Sequence, residues 1–222
     1  MWRFIQLLAD ASILHRLIPE VAALASLSQN KGKNVDDEQS VFQHTIDCMR
    51  YYPEERLHHD WIGVVAVFFH DVGKLYTAQR VGARWTFYQQ HRVGAKVTRK
   101  ILRRLHFNPE DIDTICGVVR NQLRFQSMMT DRGIRRFLEL PDTDRLIELA
   151  RANIKAQQDG NYTNFNHNLK YLERGETPLE MLEPLLNGNE IMEYTGLPQG
   201  PEVGVLRSAL LDAQIRGEVT DT

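Results

Sequence analysis

Residues 61–74 have the sequence WIGVVAVFFHDVGK, an apolar run that ends in a cluster of polar side chains. The run is apolar nearly all round, and Gly63 and Ala66 leave room for close neighbours, which is typical of a central buried helix. The residues that follow supply an imidazole, a carboxylate, a glycine for a tight turn and a lysine. This stretch therefore predicts the centre of the fold and a site at the end of its central helix.

The spacing of apolar residues is helical through most of the remaining chain. Ser40 can cap a helix over about 41–52, and Asn108 can cap another that reaches about Leu123. Further helices are predicted over 91–105, 130–140, 142–157 and 202–216. The predicted fold class is therefore all-α.

One segment, residues 75–88, breaks the helical pattern. Gly82 lies there between two short β-prone pieces, 75–77 and 85–88. A small hairpin is predicted at this point.

The composition changes from about Asn161 onward, where asparagine, glycine and proline become frequent. The C-terminal part has too few apolar residues to form an independent core. We predict a boundary near Pro178, with a helical domain over 1–177 and a small helical appendage over 178–222. Within the first domain, residues 1–35 would be lead-in helices.

The composition also limits the classes of partner and compartment. The 222 residues carry a formal net charge of -2, so any contact with nucleic acid must come from a local patch. Cys48 and Cys116 both lie in apolar helical patterns, which indicates buried free thiols in a reducing compartment. No stretch has the features of a signal peptide or a membrane span. We expect a cytoplasmic protein with no membrane partner.

The His70-Asp71 pair, together with His44 upstream, predicts a metal site. Neighbouring side chains on a straight helix point about 100° apart, so both can face one ion only if the helix loosens, which Gly73 makes possible. Histidine and carboxylate ligands suit Mn, Fe, Co, Ni or Zn better than Ca. Such an ion activates water and polarises a phosphoryl oxygen, so a reaction on a phosphate ester is predicted. Lys74 would then contact the phosphate.

Several segments of this sequence resemble the HD superfamily of metal-dependent phosphohydrolases. The closer resemblance is to the HD and C-terminal regions of bacterial tRNA nucleotidyltransferases, the CCA-adding and poly(A) polymerase family, and it extends over nearly the whole chain. The segments that carry it are PEVAAL (19–24), VFQHT (41–45), FHDVGK (69–74), FYQQHRVGA (87–95), NGNEIM (187–192) and GLPQGPEVG (196–204).

The resemblance implies a divalent metal, which could be Mn, Ni, Co, Fe, Zn or Mg, and a nucleotide or RNA phosphate as substrate. tRNA is a possible partner. The metal ligands that it implies are His44, His70, Asp71 and Asn153, with Asp159 as the alternative to Asn153. Asp71 and Lys74 would be catalytic. The residues expected near the substrate or behind the ligands are His91, Arg120, Gln122 and Arg124.

Three features depart from the family pattern. The sequence shows no nucleotidyltransferase head before Met1, so we expect that this chain does not add nucleotides by itself. The family often has a histidine where this chain has Gln122. The last ligand of the family is an aspartate, and its position here is Asn153, unless the helix ends early enough for Asp159 to replace it.

The leading hypothesis is therefore a metal-dependent phosphatase or phosphodiesterase. The alternative is a non-catalytic or attenuated RNA- or nucleotide-binding module, derived from a tRNA nucleotidyltransferase. A separate nucleotidyltransferase chain as a partner is a third possibility. The cationic stretches 99–104 and 132–136 are either solvated faces or a track for an RNA backbone.

Overall fold

The computed structural model describes residues 1–30, 38–53, 59–82, 84–157, 160–175, 185–215 and 219. The predicted all-α class is confirmed, since the strands in these ranges form only two small two-stranded sheets. The chain divides into two compact units, Met1–Asn168 and Leu169–Thr222. The predicted boundary at Pro178 lies outside the described residues, as does the alternative ligand Asp159.

The helices of the first unit up to the site are α1 (Trp2–Asp10), α2 (Leu14–Leu17), α3 (Pro19–Ala22), α4 (Val41–Tyr51), α5 (Trp61–Phe69) and α6 (Lys74–Thr77). Those that follow are α7 (Gln90–Arg104), α8 (Pro109–Asn121), α9 (Asp131–Leu138), α10 (Thr143–Ala156) and α11 (Thr163–Gly175), which continues into the second unit. The strands are β1 (Ser28–Asn30), β2 (Glu38–Ser40), β3 (Ala78–Val81) and β4 (Arg84–Phe87). The second unit contains α12 (Gly188–Thr195) and α13 (Pro201–Ile215).

Helix α5 lies at the centre of the first unit, as predicted. It packs against α4, α8 and α10, and α8 also packs against α7. Its side chains Ile62, Ala66, Val67 and Phe69 are buried. Burial of an apolar helix on all sides removes the most apolar surface from water and so contributes most to stability. Trp61 differs, because it lies in the first turn and is 46% exposed.

The predicted helix starts are confirmed by their caps. The Ser40 hydroxyl accepts a hydrogen bond from the Gln43 backbone N–H at the start of α4. The Asn108 side chain accepts one from the Asp111 N–H at the start of α8. Helix α8 ends at Asn121, two residues before the predicted end, because a short 3₁₀ turn follows it.

The predicted hairpin forms, but its first strand begins three residues later than predicted and its second strand one residue earlier. Residues 75–77 are helical in α6, because the Gly73 carbonyl accepts hydrogen bonds from the Tyr76 N–H and the Thr77 hydroxyl. Strand β3 begins only at Ala78 and pairs antiparallel with β4. The half-buried residues of β4 alternate with exposed ones, so Trp85 and Phe87 lie on one face of the hairpin.

Helix α11 is an element for which the sequence predicted no helix. Phe165 packs edge-on against Phe125, with their ring centroids 5.2 Å apart. Asn168 is fully buried and donates hydrogen bonds to the carbonyls of Phe125 and Ser127, while it accepts one from the Met129 N–H. These bonds satisfy an otherwise irregular segment, so the asparagine there is structural.

No helix in the described ranges is long and apolar enough to cross a bilayer.

A buried carboxylate, Asp60, joins the start of α5 to the end of α4 and to α10. It accepts hydrogen bonds from the Tyr52 hydroxyl at 2.7 Å and from Arg145 at 3.0 Å. Burial alone would raise the pKa of Asp60, but the hydrogen bonds from Arg145 and Tyr52 outweigh it and lower that pKa below its ordinary value. Gly63 is required beside this cluster, since a Cβ there would lie 1.8 Å from the Tyr52 hydroxyl oxygen.

We predict that Arg145→Gln lowers the free energy of unfolding by about 2 kcal/mol at neutral pH, because it leaves the Asp60 carboxylate without its cation. The lowered pKa of Asp60 means that this stabilisation is present above the ordinary carboxyl pKa and is lost as the pH falls through the folded-state value. Urea unfolding at neutral and acidic pH measures both effects. Arg136→Gln, at an exposed position on α9, is the matched control, and equal losses in the two variants would contradict the prediction.

Candidate metal centre

The structure brings His44, His70 and Asp71 together. His44 lies on α4, His70 ends α5, and Asp71 begins the turn that leads into α6. The Asp71 Oδ2 atom is 3.2 Å from His70 Nε2 and 3.8 Å from His44 Nε2. All three side chains are buried, although 26 positions separate the two histidines in the sequence.

The hydrogen bonds of His70 determine which ring nitrogen faces Asp71. Its Nδ1 atom lies 2.7 Å from the Val67 carbonyl oxygen, which can only accept, so the proton is on Nδ1. Its Nε2 atom lies 3.2 Å from Asp71 Oδ2, but it has no hydrogen bond with any described residue. A buried ring nitrogen without a hydrogen bond therefore lies beside a buried carboxylate, an arrangement that a bound cation stabilises. A backbone carbonyl on the second ring nitrogen is also the usual support of a metal-ligating histidine.

His44 is held as a neutral ring. Burial lowers its pKa to about 3, and the nearby charges of Lys74 and His70 add to this, while Asp71 and a hydrogen bond with Asn153 oppose it. Asn153 lies on α10 and its own amide oxygen accepts a hydrogen bond from Gln157. Asn153, the predicted fourth ligand, is thus in contact with His44.

Cys48 is a possible ligand that the sequence analysis treated only as a buried thiol. It lies one turn after His44 on α4, and its Sγ is 3.5 Å from His44 Nε2. The ligand atoms of His44, Cys48 and His70 all lie within 4.8 Å of one another, so this group could hold a metal ion. Burial raises the pKa of the thiol, so it is neutral unless a cation displaces its proton. The four-residue spacing from His44 was the signal available in the sequence.

Lys74 contacts the carboxylate. Its ammonium donates to Asp71 Oδ2 at 2.6 Å and to Gln29 Oε1 at 2.5 Å, and it lies 5.2 Å from the centre of the Phe87 ring. Burial alone would raise the pKa of Asp71, but the charges of His70 and Lys74 hold that pKa well below its usual range. Asp71 is therefore a carboxylate at neutral pH.

These residues open into a cleft of about 320 Å³, which we call the Asp71 cleft. Its lining includes the charged side chains of Asp71 and Lys74 and the polar side chains of His44 and Asn153. Its other lining side chains are the aromatic rings of Trp85 and Phe87, Leu123, and the amides of Gln29, Gln39, Gln90, Gln126 and Gln157.

Gln122 lies behind the cleft. It is completely buried, and its amide nitrogen donates a hydrogen bond to the backbone carbonyl of His70. It does not line the Asp71 cleft, so its contact is with the turn that carries the two central side chains.

The other three residues expected near the substrate lie in a second pocket. His91, Arg120 and Arg124 line it together with Arg92 and Asn121. Leu123 lines both this pocket and the Asp71 cleft. The structure therefore places these side chains in a pocket separate from the cleft of the predicted metal ligands.

Gly73 allows the turn to lie directly on α7. A Cβ at Gly73 would be 2.0 Å from the backbone carbonyl oxygen of Gln90 and 2.6 Å from the backbone nitrogen of Gly94. Because backbone atoms cannot move aside as a flexible side chain can, no larger residue fits without displacing the turn from α7.

We predict that Gly73→Ala lowers the free energy of unfolding by about 1–3 kcal/mol, because the added methyl forces this backbone contact apart. Gly117→Ala is the control, because a Cβ at this position inside α8 meets no described atom within 4 Å. The control should be neutral or more stable by about 0.5–1 kcal/mol, since alanine is the better helix former. Denaturant unfolding of both variants measures the difference, and similar values for the two would refute the close-contact explanation.

Comparison with known proteins places the chain beside tRNA nucleotidyltransferases. It is 32% identical to the CC-adding tRNA nucleotidyltransferase of Thermus thermophilus, over 97% of this chain and 49% of the relative. It is 31% identical to the A-adding tRNA nucleotidyltransferase of Deinococcus radiodurans, over 98% of this chain and 51% of the relative. No family model matches the sequence.

The chain is thus related to tRNA nucleotidyltransferases along nearly its whole length, as the sequence resemblance indicated. It spans about half the length of the curated relatives that it matches.

Proposed function

We propose that the Asp71 cleft is the active site of an HD-type, metal-dependent phosphohydrolase that acts on a phosphate ester of a nucleotide or RNA. The observation that carries this proposal is the buried His70 Nε2 atom, which lies 3.2 Å from Asp71 Oδ2 and beside His44 but has no hydrogen bond with any described residue. A structural histidine would be expected to have a hydrogen-bond donor or acceptor at each ring nitrogen.

The donor atoms fit a divalent transition metal. His44, His70 and Asp71 would hold it, with the Asn153 amide or the Cys48 thiolate as a further ligand. Nitrogen and carboxylate donors suit Mn, Fe, Co, Ni or Zn, and a thiolate would move the preference toward Zn. When bound, such an ion supplies a Lewis acid and a water of lowered pKa.

Lys74 would bind the phosphoryl group. A lysine ammonium has three donors, and in Lys74 the carboxylate of Asp71 and the amide of Gln29 accept two of them. The third can be donated to a phosphoryl oxygen. Gln122 would act as a positioning residue, because its hydrogen bond to the His70 carbonyl fixes the turn that carries Asp71.

The remaining lining of the cleft supports a substrate that contains a nucleobase. Trp85 and Phe87 offer aromatic surface, on which bases of any sequence can stack. Amide side chains are the groups that pair with the edges of bases. The side-chain oxygen Oε1 of Gln90 and the side-chain nitrogen Nε2 of Gln126 have no hydrogen-bond partner within the described ranges. They supply one free acceptor and one free donor.

A non-catalytic binding module is the second candidate, and one contact favours it. The Lys74 ammonium already neutralises the Asp71 carboxylate at 2.6 Å, so the buried charge is balanced without any metal. The amides of Gln122 and Asn153 stand where the related family has a histidine and an aspartate. In this case the cleft would bind RNA or a nucleotide without hydrolysing it.

The partners proposed for either function follow from the relatives, whose names describe enzymes that act on tRNA. We propose tRNA, or an RNA end derived from it, as the polymeric ligand. A nucleotidyltransferase chain is the corresponding protein partner.

We predict that Asp71→Asn abolishes metal-dependent turnover, with a loss of at least about a hundredfold, because the amide replaces a charged ligand at constant size. The assay measures metal content and hydrolysis of phosphomonoesters and 2′,3′-cyclic nucleotides with Mn, Ni, Co and Mg. His70→Ala should behave in the same way, and circular dichroism shows whether each variant is folded. His15→Ala, an exposed histidine on α2, is the control for nonspecific metal binding.

Two results would favour the binding module over the hydrolase. The first is the absence of metal uptake and turnover in the folded wild type. The second is salt-dependent tRNA binding that Asp71→Asn leaves unchanged.

A further inference from the structure

The second pocket concentrates positive charge in a chain whose net charge is slightly negative. It has a volume of about 130 Å³, and its lining contains Arg92, Arg120, Arg124 and His91 but no carboxylate. None of these arginines forms an ion pair with any residue that the structure describes, whereas Arg99, Arg104 and Arg145 each do. The three arginines therefore line one pocket without an ion pair to any described acidic side chain.

The Arg124 side chain is held in place by a neighbour. Arg124 donates from Nε to the Asn121 side chain, and the Asn121 amide donates to the Gly117 carbonyl inside α8. Arg92 and His91 come from the first turn of α7, which packs along α8. The guanidinium of Arg124 is thus positioned at the pocket before any ligand binds, which reduces the entropy lost on binding.

His91 contributes a polar atom that needs a partner. Its Nδ1 is shielded from solvent and has no hydrogen-bond partner among the described residues. Burial lowers the pKa of His91, and the charges of Arg92, Arg120 and Arg124 lower it further. A neighbouring anion would reverse these charge effects.

The basic surface continues beyond this pocket. Arg92 and Arg120 also line an adjoining groove between α7 and α8, together with Lys96 and the Arg99–Asp113 ion pair. In the other direction, Leu123 is shared with the Asp71 cleft. A chain of phosphates that leaves the cleft past Leu123 would therefore meet the pocket first and the groove next.

We infer that His91, Arg92, Arg120 and Arg124 form a phosphate-binding pocket, separate from the metal centre, that holds a backbone phosphate of a single-stranded RNA. The assignment of the other end of that RNA to the Asp71 cleft rests on the proposed function, but the pocket itself requires neither metal nor turnover. Arginine suits this task because its planar fork can donate two hydrogen bonds to one phosphate. The ligand is then longer than a mononucleotide.

The test measures binding of a labelled single-stranded RNA oligonucleotide to metal-free protein by fluorescence anisotropy, over salt concentrations from about 50 to 200 mM. Arg120→Gln and Arg124→Gln should each weaken binding several-fold at low salt. Each should also reduce the slope of log affinity against log salt by about 0.7, the value for one phosphate contact on a single strand. Arg103→Gln removes the same charge from an exposed position on α7 that lines neither pocket, and it should change the affinity by less than about twofold.

A second measurement distinguishes recognition of an RNA backbone from binding of free phosphate. Inorganic phosphate is titrated while the imidazole resonances of His91 are followed by NMR, and the RNA is titrated in the same way. A shift with RNA but not with phosphate supports backbone recognition, and a shift with both, with competition between them, supports a pocket that accepts any phosphate group.

The inference is overturned if the RNA does not bind, or if Arg120→Gln and Arg124→Gln behave as Arg103→Gln does. The binding experiment uses metal-free protein with a chelator and measures no turnover. The hydrolase proposal can therefore be refuted while the phosphate-binding pocket is confirmed, and the reverse also holds.

Discussion

The site depends on a buried ring nitrogen that lies beside a buried carboxylate. His70 Nδ1 donates to the Val67 carbonyl, and its Nε2 atom, which has no hydrogen bond with any described residue, lies 3.2 Å from Asp71 Oδ2. Such a pair is unfavourable in a low-dielectric interior unless a cation lies near it. Lys74 supplies one cation, and the positions of His44 and Cys48 offer ligands for another. The position of positive charge at this turn is therefore the feature on which both candidate functions rest.

A steric constraint places the turn. Gly73 lies against the backbone of Gln90, at the start of α7, so the segment that carries Asp71 and the segment that carries His91 are in direct contact. The same helix thus contributes Gln90 to the Asp71 cleft and His91 to the arginine pocket. Two adjacent residues serve two sites because successive side chains on a helix point about 100° apart.

The relation to tRNA nucleotidyltransferases and the geometry address different questions. The names of the relatives describe enzymes that act on tRNA. The buried nitrogen and oxygen atoms of the site indicate which ligands the chain could bind. The amides and aromatic rings of the cleft and the unpaired arginines beside it would suit a base and a phosphate backbone respectively.

The sequence by itself determined the all-α class, the central helix 61–69 and the caps at Ser40 and Asn108, because these follow from local periodicity and local hydrogen bonding. It also identified His44, His70 and Asp71 as a group, through their resemblance to a family pattern. Only the tertiary structure decided that Gln122 supports the turn from behind, that Cys48 lies beside His44 and the two ring nitrogens, and that His91, Arg120 and Arg124 form a pocket of their own. Those arrangements depend on how α7 and α8 pack and on where each side chain points, and contacts between residues distant in the chain leave no periodic signal in it.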